Sequence, residues 1–283
     1  MHRNFPVHGA GLGLRRPHLG ALLEAIPHPI SFMEVAPENW IGAGGRIGEA
    51  FEKIAARTEL VCHGLLLNLG GPDPLDVSYI KRVKQFCQRF GAKCYGDHLT
   101  FCAESGQLYE LLPVPFTIEA ADHLASRILQ VQDILCERIV VENPSYYVTL
   151  SPELPELEFT NRILEKADCL LLIDVNNIYV NSQNYGFDPI AFMTQLPGER
   201  IAYAHIAGHF RDPDGVIIDT HGADVSAPVW ALLEAAYQHF GVFPTLLERD
   251  EHIPPLEIVV QEVARIHEIQ LRYGGTGCAT IPA

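Results

Sequence analysis

The chain has 283 residues, of which 48% are hydrophobic and 19% are charged, and its formal net charge at pH 7 is −15. This composition is typical of a globular protein with a buried core and excludes a disordered chain. A surface this negative repels phosphate backbones, so nucleic acid is a poor default partner, whereas bound cations would offset part of the charge.

The sequence carries no sign of export or membrane insertion. The N-terminal stretch MHRNFPVHGAGLGLRR lacks the apolar segment of a secretory signal, and no apolar run approaches the about 20 residues that span a bilayer. The seven cysteines are odd in number and include no C-x-x-C pair, which is typical of reduced thiols. We therefore expect a cytoplasmic protein without a membrane partner.

Short apolar runs alternate with amphipathic, helix-like segments along the whole chain. The clearest helical segments are 75–90, 119–136, 227–240 and 254–273, and the glycine pair at 274–275 ends the last one. Continuous apolar runs followed by helices are typical of buried parallel strands with crossovers, and eight such strands close a barrel. The eight runs are 10–15, 30–37, 59–67, 92–101, 138–144, 169–180, 201–209 and 243–250.

This order predicts an α/β fold, a single (β/α)8 TIM barrel over residues 1–283, with 270–283 as a flexible tail. A doubly wound open sheet is the alternative, because the first run is short and rich in glycine. The stretch GAGLGL at 9–14 has the wrong spacing for a dinucleotide-binding fingerprint, and no acid closes a following strand about 20 residues later.

Acids, imidazoles and amides stand at the ends of these runs, where barrel enzymes place their chemistry. A buried carboxylate costs several kcal/mol unless it is paired or bound to a metal, so a rim with this many acids and histidines predicts cations. The segment IIDTHGADVSAPVW, residues 217–230, adds further donors from a loop. The candidate ligands are His63, His98, Glu142, Asp174, His205, Asp219, His221 and Glu248.

The number and chemistry of these donors constrain the metals. One metal needs three or four protein ligands, so eight candidates predict two or three metals, with Glu142 or Glu248 as a bridge. Imidazole and carboxylate together suit iron, manganese or zinc, and the lack of thiolates at the run ends argues against a structural zinc site. A single histidine is more often structural, and only the joint set favours a metal site.

Other polar residues of the rim have two interpretations each. Asn177 is a turn residue or an additional ligand, and we place Asn143 and Glu34 in the same class of supporting donors or possible ligands. For substrate binding we expect Trp40 in the loop PENWIGAGG, Tyr146 in ENPSYYV, for which rim packing is an equal alternative, and Arg249.

Several motifs in a fixed order resemble one known family. They are GLGLR, EVAPENW, CHGLLLNLGGPDPLD, GDHLTF, VENPSYY, DVNNIYVN, AHIAGH, DTHG and LLERD, and they extend from about residue 8 to residue 270. The chain resembles the family catalogued as domain of unknown function 692, the multinuclear non-heme iron-dependent oxidative enzymes typified by the methanobactin-biosynthesis oxidase. It is also similar to the wider superfamily of xylose-isomerase-like TIM barrels.

The resemblance implies a barrel with two or three iron ions, for which manganese or zinc are possible substitutes. It also implies O2-dependent modification of cysteines in a ribosomally synthesised precursor peptide, with a partner protein that binds the peptide leader. Carried over by motif, the eight candidates named above become iron ligands, and Asn177 belongs to the set or supports it.

Three other functions compete with this interpretation. A divalent-metal sugar isomerase predicts activity with magnesium or manganese and no need for oxygen, but His63, His98 and His221 exceed the isomerase pattern. A metal-dependent phosphodiesterase acting on nucleic acid conflicts with the charge of −15. A non-catalytic docking module has no use for transition metals, so metal analysis separates it from the enzymes.

Overall fold

A closed barrel of eight parallel strands forms the centre of the molecule in the computed structural model, which describes residues 4–150 and 152–274 without the side chain of Tyr109. The predicted barrel is confirmed, and the open sheet is excluded. Each predicted run contains one barrel strand. The barrel strands are β1 (Ala10–Gly13), β2 (Ile30–Val35), β3 (Glu59–His63), β4 (Tyr95–His98), β7 (Val140–Glu142), β8 (Leu170–Asp174), β9 (Ile201–Ile206) and β12 (Thr245–Leu247).

Two short antiparallel hairpins supplement the barrel within the described residues. One pairs β5 (Thr100–Ala103) with β6 (Gln107–Pro113), and the other pairs β10 (Phe210–Arg211) with β11 (Ile217–Ile218). The sequence pattern predicted neither hairpin. The fourth run, 92–101, therefore contains a barrel strand and the start of a hairpin strand.

Helices surround the barrel, and their ends follow local capping rules. Asp76 accepts a hydrogen bond from the Tyr79 N–H at the start of α3, and Gly91 ends that helix in the left-handed region with φ 64°. The helices are α1 (Leu19–Glu24), α2 (Gly45–Ala55), α3 (Val77–Phe90), α4 (Ile118–Leu135), α5 (Glu156–Ala167), α6 (Val175–Tyr185), α7 (Pro189–Met193), α8 (Ala227–Phe240) and α9 (Leu256–Gly274).

Two expected boundaries differ from the structure. The sixth apolar run, 169–180, is longer than its strand: β8 ends at Asp174, whose carboxylate accepts the Asn177 N–H and so caps α6, which contains the rest of the run. In the segment 270–283, residues 270–274 belong to α9 and Gln270 is buried, while 275–283 lie outside the described residues. No helix of the described part is long and apolar enough to cross a membrane.

The barrel interior is divided into an apolar layer and a polar layer. Successive side chains of a strand point to opposite faces, so residues two apart share the interior. In six strands an apolar or tyrosine side chain of the interior cluster precedes a polar one by two positions. The pairs are Phe32 and Glu34, Val61 and His63, Val140 and Glu142, Leu172 and Asp174, Tyr203 and His205, and Leu246 and Glu248.

Candidate metal centre

Strand register brings the first donors together at the carboxyl end of the barrel. His98 pairs with Glu142 across β4 and β7, and Asp174 pairs with His205 across β8 and β9. Gly96 makes room for the neighbouring imidazole, because a Cβ there would lie 2.9 Å from His63 Nδ1. These residues, with Glu248, are called the strand group: His63, His98, Glu142, Asp174, His205 and Glu248.

One carboxylate oxygen is shared by two histidines in the strand group. Glu142 Oε2 lies 2.6 Å from His63 Nε2 and 3.1 Å from His98 Nε2, and the two Nε2 atoms are 3.2 Å apart. The other nitrogen of His98, Nδ1, donates to the Gly64 carbonyl at 3.1 Å. His98 therefore presents Nε2 to the site, and Glu142 lies where a bridging ligand was predicted.

His205 lies at the centre of the site with its two nitrogens in different surroundings. Nε2 donates to Glu34 Oε2 at 2.9 Å, and the Tyr203 hydroxyl donates to the same oxygen at 2.7 Å. Nδ1 lies 2.9 Å from Glu248 Oε2 and 3.9 Å from both Glu142 Oε2 and Asp174 Oδ2. Because Glu34 holds the outer nitrogen, its contact supports His205 from outside the cluster of carboxylates.

The segment 219–225 folds over the barrel mouth and adds Asp219 and His221, called the loop pair. His221 Nε2 lies 2.7 Å from Asp219 Oδ1. Asp219 is fixed by Asn176 Nδ2 at 2.7 Å and by the Ser145 hydroxyl at 3.1 Å. Glu248 Oε2 lies 3.4 Å from His221 Nδ1, so this one carboxylate connects the loop pair to His205.

Buried polar atoms without hydrogen bonds are concentrated where the donors meet. Polar groups in protein interiors are nearly always paired, so such a cluster needs an explanation. Among the described residues, the unpaired buried atoms include Glu142 Oε2, Asp174 Oδ2, Asn177 Oδ1, His205 Nδ1 and His221 Nε2. Three of them, Glu142 Oε2, His205 Nδ1 and His221 Nε2, lie 2.6–2.9 Å from another candidate ligand. This is the arrangement expected of atoms that converge on cations.

Three overlapping groups of donors have the spacing of metal ligands. In each group one donor atom per residue lies within 4.8 Å of the others, and His205 and Glu248 each belong to two groups. The groups are His63, Glu142 and His205; Glu34, His205 and Glu248; and Asp174, His221 and Glu248. The donor set therefore suits several divalent cations with shared ligands.

The charges of the site are strongly coupled. Burial, together with the carboxylates of Glu142 and Asp219, raises the pKa of Asp174 to about 8. Burial opposes charging of His98, His205 and His221, but the neighbouring carboxylates outweigh it and raise all three pKa values well above 6.5. The carboxylates of the site thus favour positive charge on the groups around them, which bound cations would also provide.

A cavity of about 1050 Å³ lies above the donors. Its walls include Trp40, which stacks on Phe51 with ring centroids 4.4 Å apart, and Leu65 and Leu66 from the loop after β3. The β5–β6 hairpin contributes Leu108 and Leu111. The site therefore opens through an apolar rim over a floor of acids and imidazoles.

Two residues expected to bind substrate lie elsewhere. The Tyr146 hydroxyl donates to Glu156 Oε2 at 2.8 Å and its ring stacks on Tyr185, whereas the next residue, Tyr147, lines the cavity. Arg249 turns away from the cavity to pair with Asp224 at 3.0 Å and Glu262 at 2.6 Å. The reason is alternation, because Glu248 faces inward and its neighbour must face outward.

The remaining candidates are also placed. Trp40 lines the cavity, and Asn177 Nδ2 donates to Glu142 Oε1 at 3.2 Å. The Asn143 amide binds the backbone N–H and carbonyl of Asp174. Arg15 and Asp250 line the cavity as well, although neither was among the predicted site residues. Arg15 ends the motif GLGLR, and Asp250 ends the motif LLERD. The available signal for Asp250 was its place two residues after Glu248, which puts both side chains on the same face of an extended chain.

Comparison with known proteins identifies the family. A family model described as RiPP precursor modification enzyme MbnB/TglH/ChrH matches residues 9–271. The chain belongs to this family. RiPP denotes a ribosomally synthesised and post-translationally modified peptide. The match covers the barrel and the segments that carry the strand group and the loop pair.

The chain is also similar to individual proteins. The chain is 47% identical over 262 residues to a UPF0276 protein of Shewanella oneidensis, covering 93% of this chain and 94% of the relative. Two solved structures share the fold at low identity. A xylose isomerase-like TIM barrel protein from Mycobacterium smegmatis in complex with magnesium has TM-score 0.57, 10% identity and coverage of 96% and 99%. Endonuclease IV from Thermus thermophilus has TM-score 0.59, 14% identity and coverage of 94% and 99%.

Proposed function

We propose that this protein is a multinuclear non-heme iron oxidase that uses O2 to modify cysteine residues of a ribosomally synthesised precursor peptide. The observation that carries the proposal is the convergence of four imidazoles and four carboxylates at one site. Several of their buried nitrogen and oxygen atoms make no hydrogen bond in the described part of the chain. Membership of a peptide-modifying family supplies the substrate class.

The donors divide into neighbouring positions for two or three irons. His63, His98 and Glu142 form one position, His205 with Asp174 and Glu248 forms a second, and the loop pair with Glu248 forms a third. Glu142 and Glu248 are the shared carboxylates. Glu142 Oε2 lies beside His63 and His98 and is 3.9 Å from His205 Nδ1, and Glu248 Oε2 lies beside His205 and His221. Asn177 completes the first position or holds Glu142 in place.

Protein side chains position the substrate and keep water away. Leu65, Leu66 and Tyr147 are exposed at the cavity rim by 39%, 37% and 47%, so a peptide there would cover apolar surface. Iron bound below the rim would supply redox equivalents for O2 and a positive charge that favours the thiolate of a substrate cysteine.

The cavity lining favours a peptide over nucleic acid. Among the described residues that line the cavity, the positively charged ones are Arg15 and Arg16. The acidic ones are more numerous and include Glu110, Asp250 and Glu251. A phosphate backbone needs several cationic contacts, which this surface does not offer. A leader-binding partner protein remains part of the proposal, since the cavity accommodates only a short segment of a peptide.

Oxygen consumption tests the proposal directly. The protein is loaded with iron under anaerobic conditions and mixed with a cysteine-containing precursor peptide encoded beside its gene, with and without the protein encoded next to both. We expect O2 uptake and a mass change at cysteine, both absent with a Cys→Ser peptide or with magnesium-loaded protein.

Two results would contradict it. One is the lack of O2 uptake with every iron-loaded preparation and the cognate peptide. The other is turnover of a ketose or aldose by magnesium- or manganese-loaded protein without oxygen, which would favour the sugar isomerase.

A further inference from the structure

We propose that Asp250 is a positioning residue that orients His221 and holds the loop pair over the barrel, with Arg15 fixing Asp250 in turn. The inference rests on the proposed metal binding at this site, although not on the identity of the peptide or on the use of oxygen. It assigns a role to two cavity residues outside the predicted ligand set.

Asp250 contacts His221 at two points. Its Oδ2 atom accepts a hydrogen bond from His221 Nδ1 at 3.0 Å, and its backbone N–H donates to the His221 carbonyl at 3.1 Å. His221 has φ 50°, in the left-handed region that residues with side chains seldom adopt. The two contacts together hold the residue in this unfavourable conformation and set the direction of its ring.

The contact also determines which nitrogen faces the donors. With its Nδ1 proton donated to Asp250, His221 presents Nε2 to the site, where a bound cation would take the place of a proton. This atom is buried, makes no hydrogen bond and lies 2.7 Å from Asp219 Oδ1. Glu248 is farther from Nδ1, at 3.4 Å, and remains available to a cation. Carboxylates that hold the outer nitrogen of a ligating histidine raise its basicity and fix its ring.

The other imidazoles of the site show the same arrangement. The outer nitrogen of His205 is held by Glu34, and that of His98 is held by the Gly64 carbonyl. Asp250 provides for the loop what Glu34 provides for the barrel interior. The loop lacks a strand ladder, so its histidine depends on this side chain for orientation to a greater degree.

Arg15 keeps Asp250 in the required rotamer. Its Nε donates to Asp250 Oδ1 and to the Arg249 carbonyl, both at 3.0 Å, and its NH2 group also contacts Asp250 Oδ1. Oδ1 is thereby occupied, and Oδ2 is left for His221. The same NH2 group lies 3.4 Å from Glu248 Oε1, so one guanidinium stabilises two carboxylates two residues apart.

Cobalt(II) binding to the full chain tests this role without any substrate. We compare wild type with Asp250→Ala, Asp250→Asn and Arg15→Lys, and use Asp214→Asn as the control, since Asp214 is an exposed acid on the β10–β11 turn. The readouts are cobalt per chain, the visible absorption of bound cobalt, and the rate of release to a chelator.

We expect Asp250→Ala to weaken one cobalt position roughly 10–100-fold, the usual effect of losing an outer partner of a histidine ligand. The positions formed by the strand group should keep their metal. Asp250→Asn, which retains an acceptor, should restore part of the affinity, Arg15→Lys should have a smaller effect in the same direction, and Asp214→Asn should match wild type.

Full cobalt content and unchanged release in Asp250→Ala would overturn the proposal and make Asp250 a surface ion pair. Loss of all cobalt from a folded Asp250→Ala protein would also overturn it, since Asp250 would then be a ligand of the shared cluster. Failure of the wild type to bind cobalt, iron or manganese would instead refute the proposed metal function, so the two failures are distinguishable.

Discussion

The strand group and the loop pair provide the same kinds of donor by different means. Strand donors are placed by the register of neighbouring strands and by alternation, and four of them, His63, Glu142, Asp174 and His205, are at most 5% exposed. The side chains of Asp219 and His221 are 10% and 12% exposed and are held by contacts from distant segments. The barrel thus fixes one part of the site, whereas side-chain contacts fix the other.

This contrast predicts that the two parts can be lost separately. Loss of a shared strand donor should affect more than one metal position, because Glu142 and Glu248 each contribute to two. Loss of loop support should remove one position and spare the rest. The following variants test this difference, from the largest expected effect to the smallest.

Glu142→Gln should have the largest effect. It removes the charge that lies beside both His63 and His98, so we expect metal affinity and activity to fall by more than the roughly 10–100-fold cost of losing an outer partner. Metal analysis by mass spectrometry and O2 consumption measure the loss. Retention of wild-type metal content would remove Glu142 from the centre of the proposed site.

Two glycine variants separate the two parts of the site. A Cβ at Gly208 would lie 2.0 Å from the Ala223 carbonyl oxygen, so Gly208→Ala must displace the loop. A Cβ at Gly96 would lie 2.9 Å from His63 Nδ1, so Gly96→Ala must displace a strand donor. We expect Gly208→Ala to lose one metal position and Gly96→Ala to weaken binding throughout, as measured by cobalt titration.

Gly20→Ala is the matched control for both, because its Cβ would meet no atom within 4 Å. Equal losses in Gly208→Ala and Gly96→Ala would refute the separation of the site into two parts.

Glu34→Gln tests the outer support of the strand group. Glu34 holds His205 Nε2, so the variant should lower metal affinity roughly 10–100-fold. Tyr203→Phe removes only the hydroxyl that donates to Glu34, and we expect a loss at or below the lower end of that range. Isothermal titration with manganese compares the two. A greater loss in Tyr203→Phe would show that packing of the interior layer, and not orientation of His205, controls the affinity.

Glu156→Gln should have the smallest effect and concerns stability alone. Burial raises the pKa of Glu156 to about 7, from an ordinary value near 4.5. A carboxyl with a raised pKa in the folded state stabilises the fold at low pH, and this contribution is lost as pH rises through 7.

The variant should therefore have a higher Tm than wild type at pH 8.5 but not at pH 5. We expect a difference of roughly 2–4 °C, which corresponds to about 1 kcal/mol in a chain of this size. Metal content should not change, because Glu156 accepts a hydrogen bond from Tyr146, which is not a candidate ligand. Through this contact Glu156 supports the chain segment between β7 and α5. A change in metal content would show that this support is coupled to the donors.

Sequence patterns predicted the barrel because its strands are buried on both faces and therefore appear as continuous apolar runs. Strand lengths were less predictable, since a capping contact such as that of Asp174 ends a strand inside an apolar run. The β5–β6 hairpin was missed because it depends on a distant side chain, Asn68, whose Oδ1 accepts the N–H groups of Cys102 and Ala103.

The candidate site shows a similar division. Each donor of the strand group follows a residue of the interior cluster by two or four positions. The alternation of side chains along a strand therefore predicts that these donors face the barrel interior and that Arg249 faces away from it. Tyr146 and Tyr147 lie outside regular structure, and contacts with distant residues, among them Asn181, Glu156 and Tyr185, determine which one faces the cavity. Such contacts between distant segments have no signature in a single sequence.

The chain after β12 directs three consecutive side chains to different places: Glu248 and Asp250 to the cavity, and Arg249 to α9. An inserted residue between Leu247 and Glu248 would reverse these directions without altering net charge. It would bring a guanidinium to the candidate metal centre and leave two carboxylates against the helix layer. The spacing of this tripeptide is consequently as restricted as the identity of its residues.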